Sequence, residues 1–97
     1  MLFKILNGSL FVCDKWGNPG RRIAENVNFA TFDQDSNQFL ITANDGKLQL
    51  KDIMGNPVRT LATDIYEARF SGIEIIARRK DGKNVILDKM GNIKRFI

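Results

Sequence analysis

The chain has 97 residues, 43 % hydrophobic and 27 % charged, with a formal charge of +4 and a single cysteine. That length fits one domain, residues 1–97, and leaves no room for a second core. Apolar runs such as Phe39-Leu40-Ile41 and Val85-Ile86-Leu87 are far shorter than the roughly 20 residues of a bilayer span, and a lone Cys13 permits no internal disulfide, which points to a reducing, cytoplasmic setting.

The opening stretch, MLFKILNGSLFVCDKW, carries no basic leader, long apolar run or small-residue cleavage site, and reads as mature protein. Asn7-Gly8 predicts a two-residue hairpin turn, because both central positions of such a turn need positive φ. DKWGNPGR follows at residues 14–21, with a second turn centred on Gly17-Asn18. Pro19 then opens an outer strand, where a missing N–H is tolerated. A strand over 27–32 leads through the polar turn Asp33-Gln34-Asp35 to a strand over 38–44. The Asp45-Gly46 turn, a strand over 47–53, DIMGNPVR at 52–59 and a strand over 57–62 come next. Residues 65–70 repeat 27–32, with Val27 matching Ile65, Ala30 matching Ala68 and Phe32 matching Phe70. Asp81-Gly82 and DKMGNIKR at 88–95 complete the series.

The eight-residue string therefore recurs after 38 and then 36 residues, the period of a repeat architecture whose unit is one supersecondary element. Each unit reads as a four-stranded antiparallel meander, and no segment has the apolar spacing of a long helix. The first unit is incomplete: Met1-Leu2-Phe3 aligns with Phe39-Leu40-Ile41, so the chain begins at a second strand. Eleven strands are expected, in a partial unit over 1–26 and full units over 27–63 and 64–97. Four-stranded meanders repeated at this period are β-propeller blades, about 2.75 of them per chain.

Residues 66–94 also resemble the Trp-Gly (WG) repeat family. Tyr66, Ala68, Phe70, Gly72, Gly82-Lys83, Asp88 and Gly91 sit at compatible spacing, while Asn84-Val85 stands where the family has its Trp-Gly. The resemblance implies blade-like repeats and carries no activity with it. Fewer than three blades would leave two apolar faces in water, whereas two copies supply six blade positions, within the usual four to eight. A homodimer closing the ring is the expected assembly.

Two-residue outer turns would set Asp14 opposite Arg21, Asp52 opposite Arg59 and Asp88 opposite Arg95, as structural cross-strand pairs. Asp33, Asp35 and Asn37 have the spacing that opens a calcium loop, but Gln38 and Asn44 stand where such a loop needs Gly and Glu. No metal and no cofactor are expected. Residues 46–97 carry a net +5 and residues 1–45 a net −1. The most basic stretch, Arg78-Arg79-Lys80 with Lys83, has no equally basic counterpart in the other units and is the candidate ligand-facing surface. Trp16, aligned with Met54 and Met90, is expected at a contact between blades or as a stacking platform.

The chain has no histidine, so it lacks the usual general base and the commonest zinc ligand, and Cys13 has no His to activate it. It reads as no enzyme. The expected function is a binding or scaffold module presenting loop faces to a protein or small polar ligand. The alternative is binding of nucleic acid or another anionic polymer through the basic half.

Overall fold

A computed structural model describes residues 2–97, so Met1 lies outside the described residues. The described residues form eleven antiparallel strands in three sheets and no helix. The first sheet holds β1 (Leu2–Leu6), β2 (Ser9–Cys13) and β3 (Pro19–Ala24). The second holds β4 (Val27–Asp33), β5 (Gln38–Ala43), β6 (Leu48–Asp52) and β7 (Pro57–Ala62). The third holds β8 (Ile65–Ser71), β9 (Glu74–Arg79), β10 (Asn84–Asp88) and β11 (Ile93–Phe96). Every sheet runs its strands in chain order, as short tight turns dictate. No helix among the described residues is long and apolar enough to cross a membrane.

Two apolar clusters hold the sheets together. Leu10, Ile23, Phe39 and Ile41 fill the space between the first and second sheets. Leu40, Leu48, Leu50 and Leu61 meet Ile75, Ala77, Val85 and Leu87 between the second and third. Strand β5 thus buries both of its faces, with all of Phe39 to Thr42 inaccessible. That explains why its sequence is a continuous apolar run rather than an alternation. At one end of each sheet boundary β4 lies beside β8, and the small Ala30 and Ala68 pack on the two cores there.

The turns differ from expectation in one respect that moves every register. Asn7 (φ 51°) and Gly8 (φ 80°) both adopt positive φ, as a two-residue turn requires. At the corresponding turns of the other sheets only Gly46 and Gly82 do so. There Ala43 N–H donates to Lys47 O and Gly46 N–H to Ala43 O, at 2.9 and 3.0 Å. This is the three-residue loop with a left-handed glycine bulge. The first sheet is one residue shorter in its turn, so the alignment of Leu2-Phe3 with Leu40-Ile41 is off by one. Phe3 pairs with Val12 as Leu40 pairs with Leu50, and Leu2 takes the place of Phe39. A slip of one residue exchanges the faces of a strand, which is why Phe3 turns inward onto Phe39 with ring centroids 5.4 Å apart.

Candidate functional site

The outer turns also have three loop residues. Asp52 N–H donates to Asn56 O and Gly55 N–H to Asp52 O, each at 3.0 Å, and the same pairs close the turns at Asp14 and Asp88. The extra residue and the bulge beyond it shift the strands, so Arg59 faces Leu50, Arg22 faces Phe11 and Arg95 faces Ile86. The expected pairs Asp14–Arg21, Asp52–Arg59 and Asp88–Arg95 do not form. Arg95 instead reaches Glu74 at 3.4 Å.

The recurring partner of each aspartate is its own turn. Asp52 Oδ1 accepts the N–H groups of Met54 and Asn56, both at 2.9 Å, and Oδ2 accepts Asn56 Nδ2 at 3.2 Å. Asp14 and Asp88 repeat the pattern. The Asp-x-x-Gly-Asn string therefore encodes a self-capped loop: aspartate as acceptor, glycine for the left-handed position, asparagine as a second donor. Nothing in the structure explains why arginine also recurs.

Hydrogen bonds from the backbone of Asn18, Asn56 and Asn92 lead the causes that hold these three carboxyls below the ordinary aspartate range. A depressed folded-state value means the unfolded chain binds protons more readily. The resulting stabilisation is full above the unfolded value, near pH 4, and is lost as the pH falls through the folded values. Replacing Asp52 with Asn keeps an oxygen acceptor but removes the titration. Asp52→Asn is expected to shift the acid limb of a stability-against-pH curve to lower pH, with little change at pH 7. An unchanged acid limb would refute the assignment.

Asp33, read as a possible calcium-loop residue, is engaged within the protein. Its Oδ2 accepts Lys89 Nζ and Ser36 Oγ, both at 2.8 Å, and its Oδ1 accepts Asp35 N–H at 3.2 Å. The Lys89 contact ties the outer turn of the third sheet to the end of β4, and it is the first cause of the lowered Asp33 pKa. Trp16 is 76 % exposed with Lys15 Nζ 4.4 Å from its ring centre, and does not pack against a neighbouring sheet. Met54 and Met90 are exposed likewise. Cys13 is half-buried, opposite Leu2.

The basic hairpin lies beside exposed aromatic side chains that the sequence did not single out together. Arg78 stands 6.0 Å from the centre of the Tyr66 ring, which meets Phe29 edge-on at 5.7 Å. Tyr66, Arg78, Arg79, Lys80 and Gly82 line a hollow of about 310 Å³. Arg79 pairs with Asp81 at 3.3 Å; among the described residues Arg78, Lys80 and Lys83 have no carboxylate within ion-pairing distance. Arg78 also borders a larger hollow of about 580 Å³ that includes Arg69, Glu67, Ile76, Asn84 and Ile97. Unpaired guanidinium groups beside an aromatic face suit a planar or anionic group. No protein-family model matches the chain, and no curated protein matches it either.

Proposed function

We propose that the chain is a non-catalytic binding module whose sheets are three consecutive blades of a propeller-like ring, completed by a second copy. The observation that carries this reading is the pair of sheet faces left without a neighbour. In the second sheet, Leu40, Thr42, Leu48, Leu50 and Leu61 form the face covered by the third. Register and period make Ile76, Arg78, Asn84, Ile86 and Ile97 their counterparts in the third sheet, and there a hollow stands open. At the other end, Leu2, Lys4, Phe11 and Cys13 hold the positions of the covered residues Ile75, Ala77, Val85 and Leu87. Leaving several hundred Å² of apolar surface in water costs on the order of 10 kcal/mol, which association would recover.

The glycines of the outer turns support the same pairing of ends. A side chain at Gly55 would meet Ile23 O at 3.2 Å, and one at Gly91 would meet Leu61 O at 2.8 Å. Each glycine thus lets its turn rest on the outer strand of the preceding sheet. Gly17 has the same place in the motif but nothing within 4 Å; the outer strand of a second copy, at Ile97, would complete the series. Two copies give six blades, inside the usual range, by head-to-tail contact around a twofold axis. Blade-like Trp-Gly repeats fit this arrangement.

Light scattering on the intact chain is expected to give twice 11.0 kDa, and Phe11→Asp to give a folded monomer. A wild-type chain that stays folded at the single-chain mass on dilution overturns the ring. A second reading, in which the module holds a polyanion such as single-stranded nucleic acid, is favoured by Arg78 and Lys80 beside Tyr66. Affinity falling steeply with salt would separate it from capture of a neutral ligand or protein.

A further inference from the structure

The first sheet has three strands where the others have four, and the missing one is the strand that precedes the first hairpin. Strand β1 has the register of β5 and β9: Phe3 faces Val12 as Leu40 faces Leu50 and Ile76 faces Ile86. On their other sides β5 pairs with β4 and β9 with β8, whereas β1 pairs with β2 alone among the described residues. An unpaired edge of this kind is a template for one more strand. The side chains there are correspondingly bare. Leu2 is 50 % and Leu6 39 % exposed, while Phe39 and Ile75, the counterparts of Leu2, are fully covered.

We infer that the free edge of β1 docks one extended segment of a partner polypeptide, seven residues or so, as the missing fourth strand. Its chemistry can be read from β4 and β8. Val27 and Ile65 begin the pairing, opposite Ala43 and Arg79; Ala30 and Ala68 lie opposite Ile41 and Ala77; Phe32 and Phe70 lie opposite Phe39 and Ile75. Transferred to β1, the segment sets an aliphatic residue opposite Leu6 and an aromatic one opposite Leu2. Between them it faces Lys4, where the other sheets have apolar Ile41 and Ala77. Lys4 has no carboxylate within ion-pairing distance among the described residues. The complementary partner therefore carries an acidic residue where β4 and β8 carry alanine, in the order aliphatic-x-x-acidic-x-aromatic. A second copy is a poor source, because all eleven of its strands are already paired within their own sheets. The inference rests on sheet register and not on closure of a ring.

The probe is a synthetic peptide of sequence IYEERFS, which is residues 65–71 with the central alanine replaced by glutamate. On the intact chain it is expected to slow amide exchange across Leu2–Leu6. It should bind about two- to fivefold more tightly than the parent IYEARFS, the size of a favourable cross-strand charge pair. Lys4→Glu should reverse that order, and methylating the peptide's backbone nitrogens should abolish binding, since strand addition relies on main-chain hydrogen bonds. Absence of protection at Leu2–Leu6, or undiminished binding of the methylated peptide, overturns the site. Equal affinity for the glutamate and alanine peptides overturns the acidic preference. A folded protein of single-chain mass would end the ring reading while leaving the exchange result at β1 to stand or fall by itself.

Discussion

Gly91→Ala is expected to destabilise the protein by about 3 kcal/mol, and Gly17→Ala, the same change at the same place in the motif, by about 1 kcal/mol. Both glycines have strongly positive φ, 91° and 83°, so both substitutions carry the penalty of a side chain in the left-handed region. They differ in what the new methyl group meets. At Gly91 it would lie 2.8 Å from the carbonyl oxygen of Leu61, a backbone atom in the middle of the interface between the second and third sheets. That atom cannot rotate aside, so the turn or the whole sheet must move, and overpacking of this kind costs about 1–3 kcal/mol. At Gly17 the space is open. Gly55, 3.2 Å from Ile23 O, should fall between them. Urea unfolding of the three variants at equal protein concentration measures the order. Equal losses would mean that the turns do not press on the preceding sheet, and would remove an argument for the matching contact at Gly17 in an assembled pair.

The repeat made the strands legible because it rests on residue types with few alternatives. Glycine at a left-handed position, proline at the start of an outer strand and alternating apolar residues place β4 to β10 within a residue or so of their observed limits. Loop length was not legible in the same way. Asp-Gly and Gly-Asn are compatible with two-residue and three-residue turns alike, and the choice lies in hydrogen bonds such as Gly55 N–H to Asp52 O. One extra loop residue was enough to misplace Arg59, which faces Leu50 rather than Asp52, and to shift Leu2 and Phe3 to the opposite faces. The correct signal was nonetheless present: Asp14, Asp52 and Asp88 are each followed four residues later by asparagine, which is the spacing of the observed self-capping bonds. The basic hairpin was visible as charge, but its aromatic neighbours were not. Phe29 and Tyr66 are 37 residues apart, and only the adjacency of β4 and β8 brings them together.

Phe39→Ala should cost about 4 kcal/mol, within the range for emptying a fully buried aromatic site, and should do so unevenly across the molecule. Phe39 is wholly inaccessible and holds Phe3 at 5.4 Å and Phe32 at 4.8 Å between ring centres. Those contacts lie in the cluster joining the first and second sheets. The first sheet has no other neighbour among the described residues, because the third lies on the far side of the second. In stacked units each element is stabilised by its nearest neighbours only. Loss of Phe39 should therefore release β1 to β3 ahead of the rest, while the cluster around Leu40, Leu48 and Ile75 keeps the second and third sheets together. Amide exchange should rise first in residues 2–24, with β9 and β10 still protected. The mirror substitution, Ile75→Ala, removes a fully buried side chain from the other cluster and should loosen the third sheet instead. Uniform exchange in both variants would mean that the three sheets unfold as one cooperative body, and that nearest-neighbour packing does not set the order in which they come apart.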